Sequence, residues 1–170
     1  MEVKEVVKKR RSVRAYREKK ISDQDLKEIL NSARMAPSAS NRQDWKFIVV
    51  TDQGLKKELA EAAKNQKFVG EAPVVLVAVS LDPDRIMSCE VPAYAVDLAI
   101  AMDHVTLVAA EKGLGTCWIG AFSQPRVKEI LEIPGEYKVV TLMPLGYPAD
   151  SPGTKSRKSF EDVVCYDRFQ

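Results

Sequence analysis

The stretch AYAVDLAIAMDHVTLVAAEK (residues 93–112) runs directly into GLGTCWIG (residues 113–120), and the order of these two pieces decides the fold class. The first is apolar on most sides and lacks Gly and Pro, so it reads as a long buried helix. Asp97, Asp103 and His104 within it argue against a simple membrane span. Gly113 is the residue type that most readily takes the left-handed conformation that closes a helix. A dinucleotide fingerprint needs strand, glycines and helix in that order, so that a phosphate meets a helix N-terminus. Here the order is helix, glycines, strand, and a Rossmann unit is excluded. The sequence predicts a short strand over residues 117–122, with Gly120 allowing a flat ring to approach the backbone.

Outward from this core, helical and strand patterns alternate. Val3, Val6 and Val7 mark a short amphipathic helix that stops near Arg10. Ser22 with Asp25 forms a capping box for a helix carrying Leu26, Ile29, Leu30 and Ala33, ended by Pro37. Residues 47–51 and 74–80 are β-branched runs suited to buried strands, with a helix over 55–64 between them. Ser123 can cap a helix containing Val127, Ile130 and Leu131, and residues 137–145 form a last strand ended by Gly146-Tyr147-Pro148. The remaining residues, 147–170, are too irregular for another unit and read as a C-terminal arm of a single domain spanning residues 1–170.

Composition agrees with one globular domain: 170 residues, 45% of them hydrophobic and 29% charged. Cys89, Cys117 and Cys165 are odd in number and lack C-x-x-C spacing, which with one histidine leaves no zinc set. No metal is expected. No apolar leader follows the basic N-terminal residues, so the expected location is the cytoplasm. Net charge is only +2, yet residues 1–20 hold nine basic and three acidic side chains, and Lys155, Arg157 and Lys158 form a second basic segment. Such asymmetry suits an anionic ligand.

Several segments could carry chemistry. Arg10, Arg11, Ser12 and Arg14 place three guanidinium forks and a hydroxyl close together, which is either a phosphate-sized receptor or a solvated helix end. Pro37, Ser38, Ala39, Ser40 and Asn41 form a loop of small and polar residues that suits either the rim of a planar ligand or an ordinary turn. His104 reads as a core or interface histidine bonded to a neighbour, and Cys117 as a buried inert thiol. Asp97, Asp103 and Glu111 read as helix-surface or interface charges.

Taken in chain order, Arg10-Arg11-Ser12-Val13-Arg14-Ala15-Tyr16, then APSASNRQDW (residues 36–45), then GLGTCWIG, then Lys155-Ser156-Arg157, the sequence resembles the FMN-dependent nitroreductase family. The resemblance spans nearly the whole chain. It implies an α+β fold whose central, mostly antiparallel sheet is flanked by helices, assembled as an intertwined homodimer with two FMN sites at the interface. It places Arg10, Arg11 and Ser12 at the FMN phosphate and ribityl chain, with Lys155 and Arg157 completing the phosphate clamp. Arg14 lies near N1 and O2 of the flavin, as a cation able to stabilise negative charge that develops there on reduction. Pro37, Ser38, Ala39, Ser40 and Asn41 come from the other subunit and back the ring. Ile119, Gly120 and Ala121 face N5, and Asn65 matches a polar contact to the pyrimidine edge. Asp44 departs from the family pattern, which commonly has proline after the loop glutamine.

The implied activity is a ping-pong reductase in which NADH or NADPH delivers hydride to flavin N5 and a nitroaromatic, quinone or similar electrophile then takes it. No protein nucleophile is required. Other chemistry on the same fold (flavin destruction, dehalogenation, azoline oxidation) and a non-catalytic flavin-binding protein are the alternatives. Near-neutral overall charge argues against a nucleic-acid module, and no membrane partner is expected. Ala95, Leu98, Ala99, Met102, Val105 and Val108 offer more apolar surface than one sheet covers, so burial against a partner subunit is expected.

Overall fold

The computed structural model describes every residue except Met1, Ser151, Pro152, Thr154, Lys155 and Gln170. Four strands, β1 (Trp45–Val50), β2 (Val74–Ser80), β3 (Gly115–Thr116) and β4 (Lys138–Gly146), form one antiparallel sheet in the order β1-β2-β4-β3. Every residue of β2 is buried. Side chains alternate along a strand. Val74, Leu76 and Ala78 therefore pack with Ile29 and Ala33 of α2 (Asp23–Arg34) and with Leu98, Met102 and Val105 of α5 (Ala93–Glu111). Val75, Val77 and Val79 face the other way, onto Leu59 of α3 (Gln53–Ala62), Val69 of α4 (Lys67–Glu71) and Val127 of α6 (Gln124–Ile130). A strand covered on both faces has no polar side to alternate, which is why 74–80 reads as a continuous apolar run.

The β2–β4 register shifts between Ala78 and Val79, which pair with Thr141 and Val139. The amide of Gln124 substitutes for a strand partner there: Val139 N–H donates to its Oε1 at 3.2 Å, and its Nε2 donates back to the Val139 carbonyl. Helix α2 starts as its capping box requires, with the Asp25 N–H donating to Ser22 Oγ at 3.0 Å. Helix α3 begins two residues before the expected Leu55, because Asp52 Oδ1 accepts the Leu55 N–H at 2.8 Å and so caps the turn.

Helix α5 is long and apolar enough, by length and composition, to cross a membrane, yet nine of its residues are buried within the fold. Leu98, Met102 and Val105 lie in the core of this chain, each contributing roughly 1.5–3 kcal/mol by burial. Of the stripe expected to face a partner, these three are therefore already covered; Ala95 and Ala99 are exposed, together with Val96. The strand falls earlier than expected: β3 covers Gly115–Thr116, and within 117–122 the sheet pairing among the described residues is a single bridge between Ile119 and Leu142, with Gly120 and Ala121 exposed beyond it.

Helix α1 (Val3–Lys9) buries Val6 and leads into an extended stretch that threads between the strand end and the last residues of the sheet. Ser12 bridges Thr116 in parallel, Tyr16 bridges Pro148, and the Arg17 N–H donates to the Tyr147 carbonyl at 2.9 Å. Beyond Asp150 the described residues are exposed, and their hydrogen bonds are local, as between Ser159 and Asp162.

Candidate flavin site

The N-terminal basic cluster is built on the end of α1. Arg10 is the C-cap, and Arg11 turns its guanidinium back onto the carbonyls of Lys8 and Arg10, the latter at 2.9 Å. It thus satisfies acceptors that a helix end leaves unpaired. Arg10 and Arg14 hold no hydrogen bond or ion pair through their side chains among the described residues, and Arg14 is exposed. The stretch carrying them is fixed from behind: Val13 N–H donates to the Thr116 carbonyl at 2.9 Å, and the Tyr16 hydroxyl donates to the Val13 carbonyl at 2.8 Å. Burial pushes the Tyr16 phenol well above its ordinary pKa, so this hydroxyl stays a neutral donor.

Val13 packs so closely on Gly115 that any side chain there would collide with it. This contact joins the arginine segment to the glycine segment, which the sequence separates by about a hundred residues. Between them opens a crevice of about 360 Å³ walled by Lys9, Arg10, Arg11, Gly115, Thr116 and Pro148, with Asp150 as a carboxylate in its wall.

A second group forms around the bare backbone after β3. Ile119 exchanges hydrogen bonds with Leu142 at 2.9 and 3.2 Å, and the fully buried Thr141 hydroxyl donates to the Ile119 carbonyl at 3.1 Å. Gly120 and Ala121 are exposed, and a Cβ on Gly120 would meet only Trp118 Nε1, at 3.8 Å. Among the described residues nothing crowds that position, and the backbone there is open. Gln66 Nε2 donates to the Ala121 carbonyl at 3.5 Å, which brings the neighbouring Asn65 to this side of the fold. Asn65 has φ 58 and lines a separate hollow of about 390 Å³ with Gln53, Lys57 and Lys67.

The 37–41 loop lies apart from both groups, and none of its residues walls the arginine crevice. It includes a one-turn 3-10 helix, Ala39–Asn41, in which Ser40 and Asn41 have φ of 55 and 53; Gln43 has φ 57. Its tether is Asp97, which is buried rather than at a helix surface and accepts the Ala39 N–H at 2.9 Å. Arg85 donates to the Ala39 carbonyl at 3.1 Å and to Ser40 Oγ at 3.2 Å. Asp97, Arg85, Gln66 and Thr141 are the supporting residues that the sequence reading missed. The signal for Asp97 was its four-residue spacing from Ala93 and Ala101, which puts a carboxylate on the buried stripe.

Arg157 is exposed and donates only to the neighbouring Ser156 carbonyl, at 3.0 Å; Lys155 lies outside the described residues. His104 Nδ1 lies 3.3 Å from the Ser32 carbonyl, and Cys117 is buried, so neither is presented to a ligand.

The sequence model of the nitroreductase family matches residues 7–81 and 60–147. The chain belongs to the nitroreductase family. A solved nitroreductase family protein from Clostridium novyi is 40% identical, with a TM-score of 0.83 over 92% of this chain and 89% of that one. The NADPH:FMN oxidoreductase of Vibrio harveyi, solved with NAD+, is 30% identical, with a TM-score of 0.90 over 99% of this chain and 78% of its own. The FMN reductase [NAD(P)H] of Bacillus subtilis is 30% identical over 170 residues, 90% of this chain and 68% of that protein. In this nitroreductase the α+β fold with its antiparallel sheet is as the sequence resemblance implied.

The residues present fit FMN. Two arginines without a hydrogen bond or ion pair among the described residues, on a stretch hydrogen-bonded at Val13, suit a phosphate and an electron-rich ring edge, and the bare Gly120 backbone suits close approach of a flat ring.

Proposed function

We propose that this chain is an FMN-dependent NAD(P)H oxidoreductase acting as a homodimer on a small electron acceptor, with residues 1–170 forming one flavin-binding domain whose 147–170 arm reaches the partner. The reading is supported above all by one observation: Arg10 and Arg14, whose side chains hold no hydrogen bond or ion pair among the described residues, sit on a stretch bridged to the glycine strand.

Arg10 and Ser12 hold the phosphate, with Lys155 and Arg157 brought by the arm, and Arg11 closes the helix end beneath them. Arg14 stands as a fixed cation at the pyrimidine edge, where charge develops on reduction. Gly120 and its neighbours Ile119 and Ala121 give the ring its backbone platform, and Asn65 meets its polar edge. Pro37, Ser38, Ala39, Ser40 and Asn41 of a second copy cover the opposite face, which accounts for their separation from the arginines within one chain. The chemistry supplied by bound FMN is two-electron transfer from NAD(P)H to a nitroaromatic, quinone or similar acceptor in a ping-pong cycle.

The purified protein is expected to be yellow, and anaerobic addition of NADH or NADPH should bleach it, with the colour returning when a nitroaromatic or quinone is added. A protein that stays colourless after soaking with FMN, or holds FMN that neither nicotinamide bleaches, overturns this reading.

A further inference from the structure

The 38–43 turn carries three non-glycine residues, Ser40, Asn41 and Gln43, in the left-handed region within four positions. L-residues enter that region at a cost and stay there only when their surroundings enforce it. Within the turn, Asn41 N–H donates to the Ser38 carbonyl at 2.8 Å, Arg42 N–H to the Ala39 carbonyl at 3.4 Å, Gln43 N–H to Ser38 Oγ at 3.0 Å, and Gln43 Nε2 to the Asn41 carbonyl at 3.1 Å and to Asn41 Oδ1 at 3.3 Å. These bonds alone leave the Ala39 peptide unanchored to the rest of the fold, and that anchor comes from outside the turn. Buried Asp97 on α5 accepts the Ala39 N–H, and Arg85 grips the Ala39 carbonyl and Ser40 Oγ from the other side.

Asp44 directly follows the turn and carries a carboxylate between two arginines. It accepts from Arg42 Nε at 2.6 Å and lies 3.9 Å from Arg85, while Arg42 also reaches Asp82 at 3.4 Å. Both arginines are thereby fixed with their charges balanced by carboxylates. Arg85 and Asp97 are held on separate elements, the 81–92 connection and α5, so they bracket the turn rather than move with it.

We propose that Asp97 and Arg85, with Asp44 holding Arg85, are positioning residues that keep the 38–43 turn in the conformation that meets the flavin ring, so that binding does not have to order it. This rests on the flavin-site reading above. Because the turn faces the ring while Arg10 and Ser12 face the phosphate, its loss weakens FMN and riboflavin by the same factor. A fault at the phosphate end changes the ratio of the two.

The test is titration of the deflavinated full-length protein with FMN and with riboflavin, followed by fluorescence quenching, alongside thermal melting. Asp97→Ala and Arg85→Ala are each expected to weaken FMN about tenfold, the scale of one lost hydrogen bond to a charged group. Riboflavin affinity should fall by the same factor, with the full quenching amplitude kept. Asp97→Asn, which retains an acceptor oxygen, and Arg85→Lys, which retains a donor cation, should restore most of the affinity. Variants that bind both flavins as the wild type does, or that lose FMN affinity while riboflavin affinity is unchanged, overturn the proposal. If Asp97→Ala does not fold, Arg85→Ala at its partly exposed position decides alone. If the wild-type protein itself binds neither flavin, the flavin-site reading fails and takes this inference with it.

Discussion

The Lys112 ammonium lies 2.8 Å from Asp25 Oδ1 and also bonds the Glu28 carboxylate, so the end of α5 is tied to the first turns of α2. The hydrogen bond from Lys112 is the chief cause holding both carboxyls below their usual range, and the same contacts hold Lys112 above its own. A carboxyl that is more acidic in the folded chain stabilises above the unfolded value, about 4, and loses that contribution as pH falls through the depressed folded value. The lysine behaves in mirror image: its contribution is complete below about 10.4 and is lost as pH rises further. Thermal melting of Lys112→Met from pH 2 to 8 should therefore show a shallower acid limb than the wild type. An unchanged acid limb would mean the cluster is energetically silent.

Two glycines of the same segment should separate folding from cofactor binding. At Gly115 a new methyl group collides with buried Val13, so Gly115→Ala is expected to lower stability by about 1–3 kcal/mol, the usual range for overpacking. At Gly120 the same methyl meets nothing closer than Trp118 Nε1 at 3.8 Å, so Gly120→Ala should unfold in denaturant like the wild type. Its FMN affinity should nevertheless fall at least tenfold, since in the proposed site that space holds the flavin ring. A Gly120→Ala chain that binds FMN normally would remove that residue from the site.

Lys56 is buried without a hydrogen-bonded carboxylate, and donates to the carbonyls of Ala72 at 2.7 Å and Pro73 at 3.3 Å. It closes the end of α4, which supplies Asn65's hollow with Lys67, Gly70 and Glu71. Burial lowers its pKa, so the charge is held at a cost; removing it still leaves two buried acceptors without a donor. Lys56→Met is accordingly expected to be less stable by about 1–3 kcal/mol in denaturant unfolding.

Much of this was legible in the sequence, for definable reasons. The capping box of Ser22 and Asp25, the apolar run of β2 and the glycine stop after α5 are local signals, and local physics set those elements. Helix α4 was not legible, because five residues including Gly70 have little intrinsic helicity; Gln53 and Lys56 of α3 hold it by bonding the Gly70 and Ala72 carbonyls. The strand over 117–122 was over-read because an apolar run does not reveal that Trp118 faces out. For the candidate site, the residue types at Arg10, Arg14 and Gly120 are what the sequence offered, and the structure leaves Arg14 and Gly120 exposed. The Asp97–Arg85 bracket did not show, since it joins side chains to backbone atoms some forty to sixty residues away.

The proposed homodimer has apolar surface available to it. Val96 and Ala99 on α5, Val3 and Val7 on α1, and Phe160, Val163, Tyr166 and Phe169 on the arm are exposed, Phe169 at 97%. Exposed aromatic and aliphatic side chains in such number on a small chain mark an association surface. In the dimer proposed above, the 37–41 loop of one copy and the arginines of another close each flavin site, so association and binding should fail together. Light scattering on the eluting wild-type protein should give twice the chain mass at micromolar concentration, and Ala99→Arg, which puts a charge on the exposed face of α5, should give the single-chain mass and lose FMN. An Ala99→Arg chain that is monomeric and still holds FMN as tightly as the wild type would place the whole site within one chain and remove the reason for a partner.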